Sequence, residues 1–78
     1  MKTLDRVNEV FRNVFEDDEL VVDAGTTASD VEGWDSLMHV TLIVALEKAF
    51  SVKFKSSEVA ALENVGELVT LIERRTSP

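Results

Sequence analysis

Between Leu37 and Phe50 lies a helix-length run whose apolar residues are not confined to one stripe. Leu37, Val40 and Val44 share one side, Leu42, Leu46 and Phe50 another, with Ile43 between them. A helix that is apolar over most of its circumference belongs at the centre of a structure, with other elements laid against it. The rest of the chain supplies those elements. Residues 4–15 bring Leu4, Val7, Val10, Phe11, Val14 and Phe15 onto one face at helical spacing. Thr3 is the expected N-cap there, and Asp5 sits in the first turn, where an acid suits the helix dipole. The acids Glu16–Glu19 oppose the dipole at the other end, so fraying is expected near Phe15. A short third helix is expected over residues 56–62, capped by Ser56 or Ser57. Asn64 opens a fourth, with Glu67 three residues on in a capping-box-like arrangement. Val65, Leu68, Val69 and Ile72 form its buried stripe, and Arg74 and Arg75 complement the dipole in its last turn.

Residues 17–34, with Gly25, Thr26, Thr27, Ser29, Asp30 and Gly33, follow neither a helical nor an alternating pattern. A loop of that length in so small a chain is usually functional. Leu20, Val22 and Val31 are expected to pin it to the core. The expected fold is all-α: a four-helix bundle with a long loop between helices 1 and 2 and a short third helix, one domain over residues 1–78.

With no cysteine, stability must come from a compact core, and an apolar content of 45% permits one. Fifteen acids against eight bases give a net charge of −7. That counts against nucleic acid and against an anionic membrane surface, and suits docking onto basic partners. No apolar run has the length to cross a bilayer, and the first residues lack a signal-peptide pattern. The expectation is a cytoplasmic monomer without membrane insertion. Starting at Met1 and ending a few residues past the last helix, the chain reads as free-standing. His39 is the only histidine, so a metal site lacks its usual partners. Nothing near it forms a nucleophile–base pair with an orienting acid, so no catalytic residue and no enzymatic activity are expected. Glu16–Glu19 lacks the alternating acids and the glycine of a calcium loop and reads as a solvated acidic face.

One motif stands apart. Gly33-Trp34-Asp35-Ser36-Leu37 puts a serine hydroxyl at the mouth of the central helix. Backbone N–H groups there lack intrahelical partners and the dipole is positive, so an attached phosphate meets a favourable field. An isolated Asp-Ser before an apolar helix is more often only a cap. Trp34 is expected to staple the loop to the helix by packing on His39.

The segment from Asp35 to Phe50 resembles the modification site of acyl carrier proteins. The similarity includes Asp30-Val31 ahead of it, Leu46-Glu47 and Phe50 within it, and Asn64-Val65-Gly66-Glu67-Leu68 and Ile72 beyond it, nearly the whole chain. The resemblance implies a bundle of acyl-carrier type. It implies a 4'-phosphopantetheine arm on Ser36, transferred from coenzyme A by a phosphopantetheinyl transferase when the serine oxygen attacks the β-phosphorus. Asp35 then either helps orient the transferase's magnesium or basic residues, or only caps. The arm's thiol carries acyl groups as thioesters to acyl-loading and acyl-using enzymes, and Leu37, Met38, Thr41 and Glu47 are implied to face such partners. Helices 2 and 3 are implied to part for an acyl chain, with Ala60 and Ala61 leaving room.

The match also departs from the family. Met38 and Thr41 stand where fatty-acid carriers often have acids, Lys48 follows the retained Glu47, and negative charge gathers in the first loop. That pattern fits a dedicated carrier of a fatty acid, polyketide or related specialised pathway better than a housekeeping carrier. The rivals are an aminoacyl or peptidyl carrier, an unmodified helical adaptor, and a small acidic regulator. The Gly-x-Asp-Ser-Leu form leans toward acyl cargo, and the serine itself argues against an adaptor.

Overall fold

The computed structural model describes residues 2–76, in which the helices run in the order α1 (Lys2–Phe15), α2 (Ser36–Phe50), α3 (Ser56–Ala60) and α4 (Val65–Thr76). A single 3-10 turn, Ala28–Asp30, interrupts the long α1–α2 loop, and no strand forms among the described residues. The all-α bundle with a long first loop and a short third helix is therefore what the chain adopts.

α1 buries Val7 and Phe11 completely, with Leu4, Val10, Val14 and Phe15 packed at the edge of the same core. It starts two residues earlier than expected and ends, as expected, at Phe15. Lys2 is already helical, so Thr3 lies inside the first turn and does not cap. A cap contributes only about 1 kcal/mol, so its absence at Thr3 leaves the helix intact. At the other end the helix is closed, not frayed. Glu16 turns left-handed (φ 52°), the Asp17 N–H donates to Arg12 O at 3.0 Å, and the Glu16 N–H to Asn13 O at 3.4 Å. That pair of bonds is a Schellman closure, which satisfies terminal carbonyls whatever the side-chain charge.

α2 is central on one arc only. Leu42 and Leu46 are fully buried and Ile43 nearly so. Leu37, Val40 and Val44 remain 75%, 60% and 43% exposed. The bundle is too small to wrap every side of this helix, so the side that carries Leu37, Val40 and Val44 faces solvent. Its C-terminus closes through left-handed Ser51 (φ 55°), with the Val52 N–H on Glu47 O at 3.0 Å. From α1, Arg6 donates to the Ala49 carbonyl and lays its guanidinium 4.5 Å from the Phe50 ring centroid. A cation is favoured at that end of a helix and over that ring.

α3 is a single short piece. Its cap is Lys55, not Ser56 or Ser57, because the Glu58 carboxylate reaches back to accept the Lys55 N–H at 2.9 Å. Glu58 is also bonded by Arg75 of α4, and that guanidinium, with the Lys55 N–H, holds the carboxyl below the usual carboxylate range. α4 starts as expected on Asn64, whose side-chain oxygen accepts the Glu67 N–H at 2.8 Å. Glu67 itself bonds the Glu63 N–H, one residue earlier than in a capping box. Val65, Leu68, Val69, Leu71 and Ile72 are buried along it.

The long loop is held by side chains and by helix ends. Val22 and Val31 are buried and Leu20 packs against the core, as their apolar character implies. Asn8 of α1, 7% exposed, donates from Nδ2 to the carbonyls of Leu4 and Val22, both at 3.0 Å, and accepts the Val22 N–H at 2.7 Å. Arg12 Nε donates to Leu20 O at 3.0 Å. Farther along, the carbonyls of Thr26 and Ala24 accept the first N–H groups of α4, from Val65 and Gly66, each at 2.9 Å. A Cβ on Gly66 would come within 2.8 Å of Ala24 O, so only glycine permits this approach.

Asn8→Ala leaves the buried N–H and C=O of Val22 without partners. At about 1–3 kcal/mol for each unsatisfied group, the expected loss is about 3 kcal/mol. Urea denaturation should show the midpoint falling sharply with little change in slope.

Candidate functional site

Gly33 takes a left-handed φ of 85° that other residues resist, and a Cβ there would touch nothing. Its role is purely conformational: it turns the loop so that Trp34 enters the core edge. The Trp34 ring meets Phe11 edge-on at 5.3 Å and Phe15 at 6.3 Å. Its indole N–H donates to His39 Nδ1 at 3.1 Å, with the two rings stacked at 5.9 Å. The staple between loop and helix is therefore both a packing contact and a hydrogen bond.

Asp35 is the N-cap of α2. Its Oδ1 accepts the Met38 N–H at 2.9 Å, and its carbonyl accepts the His39 N–H at 2.8 Å. Ser36 follows as the first helical residue, exposed, with a hydroxyl that bonds nothing among the described residues. The amides of Ser36 and Leu37 likewise find no acceptor there. Two N–H groups at the positive end of a fifteen-residue helix thus stand open beside an unengaged hydroxyl.

Next to Ser36 is an open cavity of about 420 Å³. Ser36, Trp34 and His39 form one side of it, and Val59, Ala60 and Leu62 belong to α3 and its exit. Its size lies within the range of small-ligand sites. Ala60 lines it, as the small side chain allows, whereas Ala61 does not. Among the described residues no three His, Cys, Asp or Glu side chains cluster as a metal site.

The other residues singled out from the sequence lie along α2. Leu37 and Thr41 are exposed, and the Thr41 hydroxyl bonds back to Leu37 O at 3.2 Å. Met38 is half-buried. Glu47 is engaged by the fold: its carboxylate accepts the Phe54 N–H at 2.9 Å and organises the turn after α2. Val40 and Val44, which sequence patterning assigned to the core, share the exposed face with Leu37. A helix apolar on more than one side does not reveal which side a small bundle leaves open.

Residues 5–72 match the model of a family described as the phosphopantetheine attachment site. The chain is also similar to the solution NMR structure of a holo acyl carrier protein from Geobacter metallireducens, at 44% identity and a TM-score of 0.89. That alignment covers 96% of this chain and 86% of the other. The chain belongs to the acyl carrier protein family, and its cofactor is covalently held 4'-phosphopantetheine. The residues at the start of α2 fit that group. A phosphodiester needs an accessible hydroxyl and tolerant surroundings, and here it would meet two open amides and the helix dipole. Asp35, the one adjacent carboxylate on this cap, is already engaged by Met38 N–H.

Capping and any electrostatic role of Asp35 separate by substitution. Asp35→Ala should lower stability by about 1 kcal/mol, while Asp35→Asn, an equally good cap, should leave it nearly unchanged. If Asp35→Asn retains its thermal midpoint but is modified more slowly by a transferase, the carboxylate charge serves the modification as well.

Proposed function

We propose that Ser36 is the attachment point of the arm, and that the protein is an acyl carrier with no catalytic activity of its own. The observation that carries this is the exposed, unbonded Ser36 hydroxyl beside open helix amides and a cavity. When bound, the arm supplies a terminal thiol that holds acyl groups as thioesters. The chain's own residues present, orient and shelter. In the modification the Ser36 oxygen forms a bond to the β-phosphorus of coenzyme A, the pyrophosphate bond breaks, and adenosine 3',5'-bisphosphate leaves with the bridging oxygen. The hydroxyl proton leaves to a base on the transferase. His39 does not serve, because its Nδ1 accepts from Trp34 and its Nε2 faces Val59 O.

The proposed partners are a phosphopantetheinyl transferase and the enzymes that load and use acyl groups, met by a monomeric carrier in the cytoplasm. The face offered to them is the exposed arc of Leu37, Val40, Thr41 and Val44, with Met38 at its margin. Glu47 contributes less, its carboxylate being engaged by Phe54 N–H. An arc with no acid and with Lys48 exposed near its end meets apolar partner surface better than a strongly basic one. Meanwhile Glu16–Glu19 stand exposed in the first loop, away in sequence from Ser36. This distribution supports a dedicated carrier of a fatty acid, polyketide or related specialised pathway.

Incubation with coenzyme A, magnesium and a broad-specificity transferase should add the mass of one arm, and Ser36→Ala should abolish the gain. Absence of any gain with several transferases defeats the proposal. Loading assays then sort acyl from aminoacyl cargo.

The specialised role has its own check. Met38→Glu with Thr41→Glu should raise the rate at which a housekeeping fatty-acid synthase uses the loaded protein. A parent protein that already works there at the synthase's normal rate rules the specialised role out.

A further inference from the structure

We infer that His39 is the positioning residue that latches α3 beside the cavity next to Ser36, and that it does so only as the neutral imidazole with its proton on Nε2. The ring bonds two separate parts of the chain. On one side Trp34, in the loop before α2, donates its indole N–H to Nδ1 at 3.1 Å. On the other, Nε2 faces the Val59 carbonyl of α3 at 3.4 Å. An indole N–H only donates and a carbonyl only accepts, so the two contacts together demand a lone pair on Nδ1 and a proton on Nε2.

The latch matters because α3 is weakly held. It is five residues long, and its ion pair to α4, between Arg75 and Glu58, is partly solvent-exposed, the two side chains being 35% and 29% accessible. Exposed pairs of that kind contribute little. Val59 and Leu62 pack only partly against the core, and both line the cavity. At 3.4 Å the His39–Val59 bond is longer than the ordinary range, so it holds α3 closed without locking it. Trp34 is the anchored end: its ring is fixed by Phe11 and Phe15 of α1, and through the indole N–H that rigidity is passed to the imidazole.

Protonation removes the lone pair on Nδ1, and Trp34 loses its acceptor. Asp35 of the loop and Glu63 of the α3–α4 connection are the carboxylates lining the same cavity. Glu58 of α3 is turned to Arg75, and α4 meets the cavity through Leu68. Given an acyl cargo, which rests on the function proposed above, the closed latch keeps a short chain in the cavity and its thioester shielded. Release of the latch exposes both.

The test begins on the unloaded protein. Ring nitrogen NMR at neutral pH should show the Nε2-protonated tautomer. In His39→Phe, which keeps an aromatic ring but neither bond, amide-exchange protection at Val59, Ala61 and Leu62 should fall about fivefold to tenfold. Protection at Leu68 and Ile72 should hold, which shows that the bundle is intact. His39→Gln has one acceptor and one donor and does not titrate, so it should restore protection. Trp34→Phe should loosen α3 as His39→Phe does. On protein carrying an octanoyl group, hydroxylamine should cleave the thioester faster in His39→Phe than in the parent or His39→Gln. An Nδ1-protonated ring, unchanged α3 protection in His39→Phe, or equal cleavage rates overturns the inference. Failure of Ser36 to accept the arm leaves the unloaded readouts standing and counts against the carrier function alone.

Discussion

Asn8 extends a primary amide into the core and bonds both backbone groups of Val22 as a neighbouring strand would. A buried amide is unfavourable unless all its capacity is used, and here Leu4 O takes the remaining donor. Much of the molecule depends on this bracket. It places Val22 in the core and sets the course of the chain to Ala24 and Thr26. Their carbonyls in turn receive the open amides at the start of α4. The long loop therefore links α1 to the start of α4 in addition to the direct packing of the two helices, and the close approach at Gly66 lets α4 come near enough for that exchange.

The same loop delivers the site. After Val31 re-enters the core, left-handed Gly33 turns Trp34 onto Phe11 and Phe15, and Asp35 caps the next helix. Ser36 is thus presented by rigid neighbours on both sides while staying exposed and unbonded. That combination suits a residue modified by another protein: the hydroxyl must be reachable, and its surroundings must already favour negative charge. The carrier's contribution is geometric and electrostatic. Its cavity, its helix start and its exposed apolar arc lie along or beside one helix, so the proposed attachment point, shelter and docking face share a single framework.

Much of this was legible in the chain. The 3.6-residue periodicity of residues 4–15 and 65–72, the capping residues Asp35 and Asn64, and the Gly-Trp-Asp-Ser-Leu motif all act locally. Their physical basis lies within a few residues, so pattern alone exposes it. The ends were less legible. Glu16 and Ser51 close their helices in a left-handed conformation with no glycine to announce it, and Glu58 moves the cap of α3 to Lys55. Such choices are small differences between nearly equal local alternatives. Tertiary contacts settle them.

The sequence by itself determined four helices, the unpatterned loop and a serine at the mouth of the most apolar helix, because periodicity, capping chemistry and turn residues are short-range. Only the tertiary structure decided which apolar arc of α2 meets solvent. Leu37, Val40 and Val44 look no different from Leu42, Ile43 and Leu46 until α1, α4 and the loop have taken their places. It also decided that Glu47 serves the turn at Phe54 and that Asn8 governs the loop from fourteen residues away. Both are pairings across intervening loop, seven and fourteen residues apart, between groups whose individual chemistry permits many partners. The physical reason is the same in each case: burial and hydrogen-bond satisfaction are properties of the assembled chain, and no local pattern carries them.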